Sequence, residues 1–298
     1  METKNTESHP LIMPSDGVSI NYTIDQNRND LYDILYAPTP NPLTEFYNRA
    51  LYGDYEAMGV GLTATGSATI GITLPPGSSI EAAFLFWDVI RFGGYVGPIL
   101  PGGKLNNINI TGTLISTIDF GGDYIDGFYA DVSSIAKEGI NVLEDFPRGA
   151  FRVLQTDGAS LVVVYSNFSK PFKTVLINKG LVAFYDDTIE TTFQDFIVGN
   201  PPITAKTTYM VGQSSNGRDN AYFNNSMVGT NVFNNSSGPL WSNVSVDVSN
   251  LVNSGDTSAT AEVHVPLSGI LIWIAQVFSV NAPSQKVSTE VRGIDFCK

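Results

Sequence analysis

The longest apolar run of the chain lies between Ser78 and Gly94 and reads SSIEAAFLFWDVIRFGG. In an extended strand, alternate side chains point to opposite faces, and here the residues of both parities are mostly apolar. A strand that is apolar on both faces must be covered on both, which predicts a central strand of a β-sandwich. A buried helix is the alternative. Gly77 before the run and Gly93-Gly94 after it favour the strand.

The composition favours an all-β protein. Charged residues make up only 15% of the 298 residues and aromatic residues 11%, while Gly, Asn, Ser and Thr are abundant. We therefore expect an antiparallel, jelly-roll-like β-sandwich, built either as one large domain or as two similar halves. The net charge of -13, without a Lys/Arg cluster, excludes nucleic acid as a partner.

The first 50 residues differ in character from the rest, because prolines interrupt a polar segment with little periodicity. We predict an extended N-terminal arm over residues 1–50 and a sandwich body over 51–298, with possible halves 51–170 and 171–298. Two apolar stretches of the arm and a cysteine next to the C-terminus are candidates for assembly contacts. These candidates are Ile20, Tyr22, Ile24, Leu31, Tyr32, Leu35 and Cys297.

A short motif occurs twice in the body. Asp131-Val-Ser133 and Asp247-Val-Ser249 lie 116 residues apart, and each is followed by a turn and then by apolar strands. The match indicates an internal duplication, with coincidence as the alternative.

Two local pairings are predicted from turn residues. The alternating segments Met58–Leu62 and Ala68–Leu74 suggest paired strands with a turn at Thr65–Ser67. Asp157-Gly158 suggests a hairpin turn in front of the strand Ala159–Tyr165.

Few residues suggest catalysis. Two histidines and one cysteine exclude a disulfide framework and make a histidine metal site or a serine triad improbable. Asp88 interrupts a buried-looking strand and needs a partner. We expect a salt bridge to Arg91 or Arg152, or a hydrogen bond from a loop amide. The alternative is a role for Asp88 as one carboxylate of a glycoside hydrolase.

Two further kinds of site are considered. Oxygen-rich loops with Asp123, Asp126, Asp186 and Asp187 could hold calcium, although solvated turns are the simpler interpretation. No other cofactor is predicted. Trp241, Tyr222 and Tyr124, together with Asn-rich loops, offer aromatic faces and amides to a glycan.

Several segments together resemble a group of bacterial surface and secreted β-sandwich domains. They are Asp54–Val60 (DYEAMGV), Ile80–Asp88 (IEAAFLFWD), the first D-V-S, Asp157–Tyr165 (DGASLVVVY) and Val175–Tyr185 (VLINKGLVAFY). The resemblance covers residues 54 to 280. It implies an extracellular or cell-surface domain of an adhesin-like or wall-associated protein, without catalytic residues.

The leading hypothesis from the sequence is a non-enzymatic, exposed structural or interaction protein that associates with copies of itself through its arm. No signal peptide or membrane span is visible, so a spore-surface or appendage subunit fits better than an exported protein. A carbohydrate-binding or adhesin module is the alternative, and a carboxylate-based glycoside hydrolase ranks last.

Overall fold

Residues 43–93, 95, 97–148, 153–214, 219–266 and 270–283 are described by a computed structural model. The chain divides into two units, Met1–Ala37 and Pro38–Lys298, and all described residues lie in the second. They form eighteen β-strands and one 3-10 turn, Ser249–Leu251. Every strand pairing among them is antiparallel. The predicted all-β antiparallel fold is confirmed.

The first half of the body consists of two facing sheets. Its large-sheet strands are β1 (Leu43–Gly61), β3 (Ser79–Arg91), β6 (Thr113–Phe120), β7 (Asp123–Asp131), β9 (Leu154–Gln155) and β10 (Gly158–Ser166). Its small-sheet strands are β2 (Ala68–Ile72), β4 (Gly102–Leu105), β5 (Ile108–Thr111) and β8 (Gly139–Glu144).

The second half repeats this plan. Its large-sheet strands are β11 (Phe172–Phe184), β13 (Ala205–Gly212), β16 (Trp241–Asp247) and β18 (Leu271–Asn281). Its small-sheet strands are β12 (Asp187–Phe193), β14 (Asn220–Phe223), β15 (Ser226–Thr230) and β17 (Ala259–Val265).

Eight strands have the same order in each half. In the large sheet they run β1-β10-β3-β7 in the first half and β11-β18-β13-β16 in the second. The first half adds β6 beside β7 and β9 beside β3, and the pairing of β1 with β11 joins the two large sheets into one ten-stranded sheet. The small sheet runs β2-β8-β4-β5 in the first half and β12-β17-β14-β15 in the second. Eight strands in two sheets of this order form a jelly roll, so the body contains two jelly rolls in tandem. This agreement of topology favours duplication over coincidence for the repeated D-V-S motif.

The strand β1 belongs to both large sheets. Residues 43–52 pair with β11 of the second half, whereas residues 53–61 pair with β10 of the first. The change of partner occurs at Gly53, whose φ is 151° and where a Cβ would lie 1.9 Å from the Tyr165 carbonyl oxygen. Only glycine fits such an approach. Because β1 begins at Leu43, the last eight residues assigned to the arm are part of the sheet.

Three apolar cores follow from this arrangement. One fills the first jelly roll, one fills the second, and the third lies between the two large sheets. In β3, Phe84 and Phe86 contribute to the core between the sheets, whereas Leu85 and Trp87 contribute to the core of the first jelly roll. The prediction that this strand is covered on both faces is confirmed.

Both local pairing predictions are wrong. The strands β1 and β2 lie in different sheets, since β2 pairs with β8. The segment Asp157-Gly158 is not a hairpin turn, because β9 and β10 both pair with β3 in nearly continuous register: Ile90 opposes Gln155 and Trp87 opposes Ala159. One extra residue therefore interrupts a continuous strand as a bulge. Turn residues show where the backbone departs from a regular strand, but not which strand the following segment pairs with.

The two D-V-S segments occupy equivalent positions. Ser133 follows β7, and the Ala83 N–H of β3 donates to its hydroxyl over 2.9 Å. Ser249 follows β16, and the Ala205 N–H of β13 donates to its hydroxyl over 2.9 Å. Each serine therefore ties the end of one large-sheet strand to the beginning of its neighbour.

An Asn-Asn hairpin also recurs in both small sheets. Asn106-Asn107 joins β4 to β5 and Asn224-Asn225 joins β14 to β15, with positive φ at all four residues, as a type I′ turn requires. The first asparagine of each hairpin uses its side-chain amide to bind two backbone groups of the same half. The Asn106 amide donates to the Ile135 carbonyl over 2.8 Å and accepts the Val142 N–H over 3.0 Å. In the same way, the Asn224 amide donates to the Leu251 carbonyl over 2.8 Å and accepts the Thr260 N–H over 2.9 Å.

We expect Asn224→Ala to lower the free energy of unfolding by about 1–3 kcal/mol, because it leaves a backbone N–H and a carbonyl without their partner. Asn225→Ala is the matched control, since Asn225 is exposed and its φ of 61° gives alanine the same left-handed backbone cost that it has at Asn224. Urea unfolding of the two variants measures the difference. Equal stability of the two variants would contradict the role given to Asn224.

Candidate functional site

A pair of carboxyl groups is buried where the two large sheets meet. Asp88 on β3 and Asp157 at the bulge are both fully buried. The backbone N–H of Asp157 donates to Asp88 Oδ1 over 3.1 Å. Gln155 and Gln213 donate their side-chain amides to the two Asp157 oxygens over 2.7 and 2.9 Å. Asp88 Oδ2 has no hydrogen-bond partner.

Burial dominates the electrostatics of this pair. It raises the pKa of Asp157 to about 7, against the hydrogen bonds from the two glutamines. Burial, and then the charge of Asp157, raise the pKa of Asp88 well above its usual range. The pair therefore holds at least one proton under mildly acidic conditions.

The salt bridge expected between Asp88 and Arg91 does not form. Arg91 lies on the other face of β3, where its Nε and second guanidinium nitrogen bind Asp126 over 2.6 and 2.9 Å. Arg152 lies outside the described residues. Asp88 instead accepts a loop amide, which was the other expectation. Without exposed surface, Asp88 gives a polysaccharide no access to its carboxyl group in this conformation.

The four aspartates proposed for calcium do not form a common site. The ion pair with Arg91 and the Thr117 hydroxyl occupy the Asp126 carboxylate. Asp123 accepts the Gly93 N–H, and Asp187 accepts the Thr188 N–H of the next strand residue. In the part of the chain that the structure describes, no three His, Cys, Asp or Glu side chains are grouped to hold a metal ion. The carboxylate of Asp126 is thus already bound to Arg91 and Thr117, and calcium binding stays a prediction.

The three aromatic residues proposed for glycan binding do not form a platform either. Trp241 is fully buried, and its indole N–H donates to Ser160 Oγ over 2.9 Å. Its ring cannot stack on a sugar, so this assignment is wrong. Tyr124 lies on β7 against the Arg91 guanidinium, whereas Tyr222 lies on β14 of the other half. The candidate assembly residues of the arm, and Cys297, lie outside the described residues.

Sequence reasoning missed an exposed aromatic cluster. Phe168 is 90% exposed, and its ring lies 5.8 Å from that of Tyr52, which in turn lies 5.1 Å from that of Phe172. The only sequence signal was an isolated phenylalanine in the polar turn between β10 and β11. Contiguous exposed apolar groups commonly mark interaction sites. We call Tyr52, Phe168 and Phe172 the aromatic edge.

A groove of about 810 Å³ adjoins the aromatic edge, and Phe172 lines both. Its lining is mixed: Ala50, Phe196, Ile197 and Ala282 are apolar, and Ile197 is 53% exposed, whereas Asn48, Gln194, Asp195 and Thr257 are polar. Within the described residues, β1 residues 43–52 pair with β11 only, which leaves their second backbone edge without a neighbouring strand. An unpaired edge beside a partly apolar groove can receive an added strand.

These observations define an all-β protein of two tandem jelly rolls, with the Asp88–Asp157 pair buried inside and an aromatic edge exposed. The chain belongs to the family described as "Protein of unknown function (DUF3344)", which matches residues 36–280. A search of curated proteins found no match. The family description names no activity, so the likeness to cell-surface domains stays a prediction. No helix among the described residues is long and apolar enough to cross a membrane.

Three solved structures illustrate the range of similar folds. A beta-porphyranase of glycoside hydrolase family 86 from the human gut bacterium Bacteroides plebeius is 8% identical, covering 83% of this chain and 38% of its own, with a TM-score of 0.25. VP2 of infectious bursal disease virus, in a subviral particle, is 12% identical, covering 83% of this chain and 75% of its own, with a TM-score of 0.27. The major capsid protein P2 of bacteriophage PM2 is 10% identical, covering 78% of this chain and 99% of its own, with a TM-score of 0.23.

The chain spans between 34% and 38% of the length of the glycoside hydrolase chains it matches. All of these identities and TM-scores are too low to support an inference about function.

The contribution of the buried Arg91–Asp126 ion pair to stability can be tested. We expect Arg91→Ala to lower the free energy of unfolding by about 3–5 kcal/mol, because it leaves a fully buried carboxylate without its cation. Lys104→Ala breaks the exposed pair with Asp145 and should have a much smaller effect. Chemical denaturation compares the two variants, and similar losses would show that burial of the Arg91–Asp126 pair is not decisive.

Proposed function

We propose that this protein is a non-enzymatic structural or interaction protein that assembles with copies of itself at a cell or spore surface. The observation that carries the proposal is the aromatic edge, where the ring of Phe168 is 90% exposed and Phe172 of the same cluster lines the adjoining groove. A protein that functions as a free monomer gains nothing from leaving this area in water.

The geometry also suggests how a second copy binds. An extended segment can hydrogen-bond to the unpaired edge of β1 and place alternate side chains in the groove. The residues before Leu43 supply such a segment, because Ile20, Tyr22 and Ile24 alternate with polar residues. We infer that this segment of one copy pairs with residues 43–52 of the next.

Glycan binding and hydrolysis receive less support. Trp241, a candidate for glycan binding, is buried in the core between the sheets. Hydrolysis would require a substrate to reach Asp88, which is fully buried.

Deletion of residues 1–42 should convert the assembled protein to monomers, because it removes the donor segment. Phe168→Ser should weaken assembly while the donor segment is still present, because it removes the most exposed part of the acceptor. Multi-angle light scattering over a range of protein concentrations measures both effects.

Ile140→Ser is the control for the Phe168 variant, since Ile140 is 57% exposed on β8 of the first small sheet, away from the aromatic edge. It should leave the mass distribution unchanged. A monomeric full-length protein, or assembly that survives the deletion, would contradict the proposed function.

A further inference from the structure

The Asp88–Asp157 pair lies under the backbone of the opposite half. A Cβ at Gly212 of β13 would lie 2.6 Å from Asp88 Oδ2 and 3.5 Å from Asp157 Oδ2. Gln213, the next residue, donates to Asp157. Residues 212–213 of the second jelly roll thus close directly over two carboxyl groups of the first, and water has no access to either group.

Among the described residues, no cation forms an ion pair with either carboxyl group. On β3, Arg91 is on the opposite face and is bound to Asp126. Next to the bulge, Arg148 pairs with Gln155 through its backbone and makes no ion pair with Asp88 or Asp157. The bulge and β9 present Gln155, and the end of β13 presents Gly212 and Gln213, all uncharged. The ring of Trp241 from β16 covers the remaining side. Among the described residues, the charge that each carboxylate faces is therefore that of the other carboxylate.

Such a pair is compatible with the closed structure only while it carries a proton. Two carboxylates in a medium of low polarity repel each other and lose their hydration, so ionisation of both favours any state that admits water. Gln213 makes the one side-chain hydrogen bond that crosses to Asp157 from the second half, and Trp241 of β16 packs beside it and donates to Ser160. Opening therefore means that the ends of β13 and β16 move away from the bulge together.

We propose that Asp88 and Asp157 form a proton-dependent lock between the two jelly rolls, closed when the pair is protonated and released when both groups ionise. The lock is separate from the aromatic edge, so it does not depend on the proposed function. It gives the protein a junction that is tighter in acid than in alkali.

The direction follows from linkage. The pKa of Asp157 rises from 3.8 in the unfolded chain to about 7 in the folded one, so the folded state keeps a proton that the unfolded state releases. The contribution to stability is fully present below about pH 4 and is lost as the pH rises to about 7. Asp88 shifts in the same direction, and the two groups titrate as a pair.

The first experiment compares thermal unfolding between pH 5 and pH 9 for the full chain and its variants. The wild-type midpoint should fall as the pH rises. Asp88→Asn and Asp157→Asn should flatten this fall, because asparagine resembles the protonated acid at every pH. Asp186→Asn is the control, since Asp186 is exposed and has a φ of 47°, which asparagine adopts readily, and it should keep the wild-type slope.

Hydrogen exchange of peptides covering residues 206–214 locates the effect. After correction for the intrinsic dependence on pH, their protection should decrease between pH 6 and pH 9 in the wild type and stay constant in Asp157→Asn. An unchanged slope in both asparagine variants, or equal protection at both pH values in the wild type, would overturn the lock.

Should the variants fail to fold, the wild type alone decides the question. Calorimetric unfolding at pH 6 in two buffers with different ionisation enthalpies counts the protons released. We expect about one to two per molecule from the pair, in addition to about half a proton from Asp219, whose pKa burial raises to about 6. Net proton uptake, or release of no more than the half proton that Asp219 supplies, would overturn the proposal.

Discussion

A single strand joins the two jelly rolls, and most of the structure depends on the burial that it makes possible. Since β1 pairs with β11 before Gly53 and with β10 after it, the two large sheets face each other across a core of their own. Their inner strands consequently have apolar neighbours on both faces, as β3 and the fully buried β18 show. Burial of apolar area, at about 25 cal/mol per Å², is the main stabilising term for such strands.

The same burial determines the state of the polar groups between the sheets. The Trp241 indole donates a hydrogen bond to Ser160 between the sheets, whereas Asp126 is paired with Arg91 on the other face of β3. Asp88 and Asp157 accept hydrogen bonds but have no cation partner among the described residues, so the pair retains a proton. The interior thus holds titratable chemistry, whereas the exposed features that remain unexplained by folding are apolar rings and a strand edge. This distribution is the basis of the proposed self-assembly.

Much of the fold was predictable because its signals are local. The apolar residues of β3, on both parities, indicated a covered strand, and the repeated D-V-S indicated two halves whose serines have the same role. The pairing of strands was not predictable, because the signal at Asp157-Gly158 shows a deviation of the backbone and is the same for a bulge as for a hairpin. The aromatic edge was missed because an isolated phenylalanine in a turn carries no periodicity.

The sequence by itself determined the class of the fold and the strand that needed cover on both faces, because alternation and composition act over a few neighbouring residues. It also singled out Asp88 as the residue that core packing does not explain. Only the tertiary structure decided its partner, since Asp157 lies 69 positions away and reaches Asp88 through the register of β10 on β3. The same long-range packing placed Trp241 inside and Phe168 outside, because exposure depends on what the rest of the chain covers.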